Sequence, residues 1–167
     1  ITELKRLLAT GADINSKDHE GMTALMWAAA TGHVEVAQYL VGAGADLAAK
    51  GGSYGSTPLM FAAMSGHVEV ARYLVGAGAD LEAKDNDGTT ALMYAAKNGH
   101  VEVSKCLVGA GADLAAKDNI GDTALILAAI KGHVEVARYL VGAGADLAAA
   151  RPDGMTALMW AAATGHV

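Results

Sequence analysis

The sequence predicts an all-α repeat solenoid, in which helix–turn–helix units stack side by side and extended, β-turn-like loops join them. Three observations carry this. The first is a fixed period. "TALM" begins at Thr23, Thr90 and Thr156, with "TPLM" at Thr57 and "TALI" at Thr123, in steps of 34, 33, 33 and 33 residues. The second is a pair of helical patterns in each period, separated by "GH" at His33, His67, His100, His133 and His166. The third is a recurring turn, "GAD", which begins at Gly11, Gly44, Gly78, Gly111 and Gly144. One stretch is even repeated letter for letter: Gly21–Val34 returns as Gly154–Val167.

The elements follow in order. "ITELKRLLATGADIN" is in phase with the second helix of a unit, so the chain opens on a second helix. "TALMWAAATG" is a first helix. Thr23 caps it with its hydroxyl, Leu25, Ala28 and Ala29 form an apolar stripe, and Gly32 stops it by taking the left-handed conformation. "HVEVAQYLV" is the second helix, with Val34, Ala37, Leu40 and Val41 on one face. Its letters also partly alternate as in a strand; its length and the glycines on both sides decide for helix. Gly42 and Gly44 end it, and an extended turn leads to the next unit. The extra residue of the one 34-residue step falls in "KGGSYGS", in the turn Gly51–Gly55, where an insertion costs little. The units read as one domain, 1–167: half-repeat 1–17, repeats 18–50, 51–84, 85–117 and 118–150, and half-repeat 151–167.

Composition narrows the function. Apolar residues make up 53% of the chain, much of it alanine, while aromatic residues make up 5%, which suits closely spaced helices. A net charge of −6 with no basic run argues against nucleic acid or an anionic membrane surface as partner. No apolar run approaches the roughly 18 residues of a membrane span. The first residue is Ile1, with no signal peptide after it, which predicts a processed or trimmed piece. A single cysteine, Cys106, forms no internal disulfide and predicts a reducing, cytoplasmic setting.

Several motifs invite a chemical reading and fail it. "VGAGAD", Val41–Asp46, has the G-x-G of a dinucleotide loop, but Leu47 stands at the third glycine position and no strand precedes it. The five "GH" histidines sit on successive helices about 8–10 Å apart, too far for one metal ion with ligands at about 2 Å. They read as polar contacts at the opening of the second helix. Trp27, Phe61, Tyr94, Leu127 and Trp160 share one repeat position and read as core between the helix layers. Cys106 stands where other units carry Tyr39, Tyr73 and Tyr139, a packing position. Glu35, Glu69, Glu102 and Glu135 lie in the first helical turn, where they favour the dipole. Catalytic residues, metal ligands and cofactor-binding residues are therefore not assigned.

With the motifs in place, "DNDGTTALMYAAKNGHVEVSKCLVGAGADLAAK", Asp85–Lys117, resembles an ankyrin repeat. The family pattern is Asp-x-x-Gly-x-Thr-Pro-Leu-His, then Gly-His, then Gly-Ala-Asp, and it covers essentially the whole chain. Two departures matter. The proline survives only as Pro58, with Ala24, Ala91, Ala124 and Ala157 elsewhere. The histidine after the leucine is Met26, Met60, Met93, Ile126 and Met159. Methionine fills the space but removes the hydrogen bonds that the family's histidine makes.

The resemblance implies a non-enzymatic scaffold that binds a protein partner through turn tips and first helices on its concave face. Variation between units gathers there. Carried onto this chain, the candidate surface is His19, Glu20, Met22, Tyr54, Ser56, Met64, Asn86, Asp87, Thr89, Lys97, Asn119, Ile120, Asp122, Ile130, Lys131, Asp153 and Met155. Met22, Tyr54, Met64, Ile120, Ile130 and Met155 are expected as exposed apolar groups of a binding patch. Other readings stay open. One is a self-assembling element joined head to tail, because Leu4, Leu7 and Leu8 at one end and Leu158, Met159 and Trp160 at the other lack a neighbouring unit. The others are a targeting module of a larger protein, a longer array, and an engineered or consensus scaffold.

Overall fold

Each of the five threonines starts a helix, and the "GH" pairs at His33, His67, His100 and His133 each start another. A computed structural model describes residues 1–166; Val167, the last residue of the expected final half-repeat, lies outside the described residues. In chain order the helices are α1 (Thr2–Ala9), α2 (Ala24–Thr31), α3 (Val34–Gly42), α4 (Pro58–Ser65) and α5 (Val68–Gly76). They continue with α6 (Ala91–Asn98), α7 (Val101–Gly109), α8 (Ala124–Lys131), α9 (Val134–Gly142) and α10 (Ala157–Thr164). Among the described residues there is no strand, only isolated bridges at two tips, Gly51 with Ser56 and Ala150 with Thr156.

The starts and stops have local causes. Thr23, Thr57, Thr90, Thr123 and Thr156 are extended, and each hydroxyl accepts the backbone N–H three residues on. Methionine does more here than fill space. The sulfurs of Met26, Met60 and Met93 accept the N–H of the capping threonine at 3.4 Å, closing a reciprocal cap. Part of the hydrogen bonding expected to be lost with the family's histidine is thus restored, and Ile126, without an acceptor, has no such cap. Each first helix stops at a glycine with φ between 71° and 78°.

The stack is built from two rows. First helices pack in sequence, α2 on α4, α4 on α6, α6 on α8 and α8 on α10; second helices pack α3 on α5, α5 on α7 and α7 on α9. The first-helix row is the tighter one, because buried alanines such as Ala28, Ala29, Ala62, Ala63, Ala95 and Ala96 let backbones approach. Leu25, Leu59, Leu92 and Leu125 from first helices, and Leu40, Leu74, Leu107 and Leu140 from second helices, form the continuous core. Each is worth about 1.5–3 kcal/mol of burial. At the front, Leu4 and Leu8 of α1 pack partly against this core while Leu7 stays exposed, so that end is better covered than the sequence suggests.

Two ladders of side chain to backbone hydrogen bonds tie unit to unit. His67, His100 and His133 donate Nε2–H to the carbonyls of Ala30, Met64 and Lys97 in the preceding unit, at 3.1, 2.9 and 3.0 Å. Their rings lie on the helix-ending glycines: a Cβ on Gly32, Gly66 or Gly99 would sit 2.6 Å from a ring nitrogen. Those glycines are thus required twice, for left-handed φ and for space. The ammonium groups of Lys17, Lys50, Lys84 and Lys117 donate forward to the carbonyls of Lys50, Lys84, Lys117 and Ala150, at 2.7–2.9 Å. The inserted turn is not the loose loop its position suggests. Gly51 is buried, with the Gly21 carbonyl 2.1 Å and the Met26 sulfur 2.6 Å from where its Cβ would be.

Candidate functional site

An aspartate closes each of three turn tips on itself. One oxygen of Asp18 accepts the N–H groups of Glu20 and Met22, Asp85 those of Asp87 and Thr89, and Asp118 those of Ile120 and Asp122. The second oxygen of Asp18 accepts the indole N–H of Trp27 at 2.8 Å, and that of Asp85 accepts the Tyr94 hydroxyl. The Met22 amide, and then the Trp27 indole, hold Asp18 below the usual carboxylate range. Burial first, and the Asp85 carboxylate second, push the Tyr94 phenol well above its ordinary value.

These two repeat positions, tip and helix, match in chemistry along the chain. Phe61 has no donor, and the tip residue before it is Gly52 rather than an aspartate. Trp160 is preceded by Arg151, whose guanidinium stacks on the ring 4.4 Å from its centre while both carboxylate oxygens of Asp122 hold its N–H groups. Leu127 is the exception, since the tip residue before it is Asp118, which serves its own turn alone.

Two grooves lie between the tips and the first helices. One, of about 310 Å³, is formed by the first two complete units and brings Glu20, Met22, Tyr54, Ser56 and Met64 together with Trp27 and Phe61. The other, of about 420 Å³, gathers Asp87, Thr89, Lys97, Asn119, Ile120, Asp122 and Ile130 with Leu127 and Arg151. His19, Asn86, Lys131, Asp153 and Met155 line neither. Asn86 instead packs its amide over Gly55 of the preceding tip.

The expected exposed patch needs correction. Tyr54 and Ile120 are open to solvent, but Met22 is only 5% exposed, and Met64, Ile130 and Met155 are half-buried. Met22 points inward beneath the inserted turn, its sulfur close to Gly52. Ser56, Thr89 and Asp122 are buried as well, and Asp122 is consumed by Arg151. The converse error concerns Trp27, expected in the core and found 47% exposed. It lies about 150° around the helix from the centre of the Leu25, Ala28 and Ala29 stripe, at 100° per residue. That angle was available from the sequence and marks Trp27 and its counterparts Phe61 and Leu127 as groove residues. Arg151 carried no comparable signal.

Among the described residues no three His, Cys, Asp or Glu side chains converge as a metal site would require, and no helix is long and apolar enough to cross a membrane. Burial raises the Cys106 thiol above its ordinary value.

Comparison with curated proteins finds no match. The model of ankyrin repeats in three copies matches residues 2–85, 47–118, 77–151 and 105–167, which together span all but the first residue. Ankyrin repeats are in general protein–protein interaction modules and not enzymes. The matched period, the capped helix pairs and the stacked rows lead to one assignment: the chain belongs to the ankyrin repeat family.

Proposed function

We propose that this chain is a non-enzymatic scaffold that holds a segment of a partner protein across its turn tips and first helices. The observation that carries the reading is the placement of two grooves, each lined by both apolar and polar side chains, on that one side, with Tyr54 and Ile120 exposed among their lining residues. Grooves between units one and two and between units three and four are two repeats apart. At about 8–10 Å per repeat this is a span of about 16–20 Å, or about five to six residues of extended chain. An aromatic anchor surrounded by polar groups is what interfaces use.

The test is affinity capture of a partner, followed by binding measurements with the double variant Tyr54→Ala/Ile120→Ala. A loss of at least about tenfold supports the reading, while Arg138→Ala, on the opposite helix row, should bind as before. Unchanged binding by the double variant rules out this face. A cytoplasmic, reducing setting accords with the single half-buried Cys106.

A second reading is head-to-tail self-association. It is favoured by α10, where Leu158 and Met159 are exposed. Light scattering over a concentration series tests it: association that Leu158→Glu abolishes supports it, and a monomer at high micromolar concentration removes it.

A further inference from the structure

We propose that Trp27 is a docking plate for an arginine side chain of the partner protein. The inference rests on the scaffold reading and specifies what one of its two grooves recognises. Trp27 is a large aromatic side chain left open in the wall of a groove, and it is not loose. Its indole N–H is fixed on the Asp18 carboxylate at 2.8 Å, so the ring plane is set before anything binds. A donor held by an anion also pushes electron density into the ring, which strengthens its attraction for a cation.

The surrounding charge has the right sign. Asp18 stands at the ring edge, and Glu20 is the charged residue in the groove lining. The nearby cations of these units are committed elsewhere: Lys17 to the Lys50 carbonyl and Lys50 to the Lys84 carbonyl. Among the described residues no cation lies over the Trp27 ring, whereas Lys5 lies over Tyr39 and Arg151 over Trp160.

Trp160 occupies the same repeat position as Trp27, in a copy of the same stretch, and its ring is covered by the guanidinium of Arg151. That guanidinium is gripped at the same time by a carboxylate of the preceding unit's tip, Asp122. The chain thus displays the recognition in full at one place: indole face below, carboxylate at the side, guanidinium between. At Trp27 the position of Arg151 is held by Asp18, and the carboxylate that lines the groove is Glu20 of the same tip, so a guanidinium over this ring has to come from outside the chain. Planarity favours arginine over lysine, because a flat guanidinium stacks on the indole and still presents N–H donors to Glu20. Phe61 and Tyr54 flank the same groove.

The probe is acetyl-Gly-Arg-Gly-amide, titrated into the isotope-labelled full chain while the two indole N–H signals are followed by NMR. The same peptide with citrulline, which keeps the shape and removes the charge, and with lysine are the comparisons. We expect a saturable shift of the Trp27 signal with little change at Trp160. Citrulline should bind about tenfold more weakly, and lysine several-fold more weakly. Trp27→Leu should abolish binding, Glu20→Gln should weaken it, and Trp27→Phe, which keeps a ring face, should retain part of it. Equal binding of the citrulline or lysine peptide overturns the assignment, as does binding that survives Trp27→Leu in a folded protein, or no shift with any peptide. The two readings fail separately: a captured partner lost in Tyr54→Ala/Ile120→Ala but retained in Trp27→Leu removes the arginine site and leaves the scaffold standing, whereas a partner retained in Tyr54→Ala/Ile120→Ala removes the scaffold reading.

Discussion

Gly21–His33 and Gly154–His166 are the same thirteen residues in two settings. Both fold alike: an eight-residue helix, capped by threonine at one end and by a glycine with φ of 77° or 75° at the other. They differ in what covers them. Leu25 is 1% exposed and Leu158 is 77% exposed. Met26 is buried and closes the cap with its sulfur, whereas Met159 is open. The Trp27 indole donates to Asp18, whereas the Trp160 N–H has no partner among the described residues and its ring lies under Arg151. Helix, cap and stop belong to the segment, while burial and polar partners belong to its neighbours.

Paired substitutions sharpen this comparison. The largest difference is expected between Leu25→Ala and Leu158→Ala. The first empties a closed core site and should cost about 2–5 kcal/mol; the second should stay within about 0.5 kcal/mol. Denaturant unfolding of both variants measures it, and equal costs would mean that α10 is covered in solution. Next come Gly32→Ala and Gly165→Ala. Each forces alanine into left-handed φ, worth about 1–2 kcal/mol. Only Gly32 also has a ring, that of His67, at 2.6 Å, and Gly165 has open space. The collision and the lost histidine hydrogen bond should add about 1 kcal/mol or more to the first, visible in its melting temperature.

Thr23→Ala should cost about 1–2 kcal/mol and Thr156→Ala about 0.5 kcal/mol, since both remove a cap but only the first also disturbs a closed layer. The smallest effect is one of pH. The Asp18 carboxyl is held low in the folded chain, so its contribution is complete above the ordinary aspartate value of about 3.9 and is lost as pH falls through the lower, folded value. The Trp27 indole N–H signal should move in that window. Asp18→Asn should remove the movement.

The period, the helix pairs, their caps and the glycine stops were legible because each rests on local chemistry repeated five times. The site was legible only in part, and the reason differs by residue. Tyr54 and Ile120 vary between units and are exposed, as variation suggests. Met22 varies too, yet it is buried, because the inserted turn of the following unit folds over it. Thr89 and Asp122, at the same repeat position, are also covered.

The sequence by itself determined the repeat, the helices and the core leucines, since spacing and backbone preference act within a few residues. Only the tertiary structure decided which faces close. Trp27 became a groove wall and Trp160 a seat for Arg151, although the letters around them are identical. Methionine sulfurs became caps, and glycines became the floor beneath the next unit's histidine. Each of these outcomes depends on atoms contributed from elsewhere in the chain, often a full repeat away, and a local pattern holds no record of what will be packed against it.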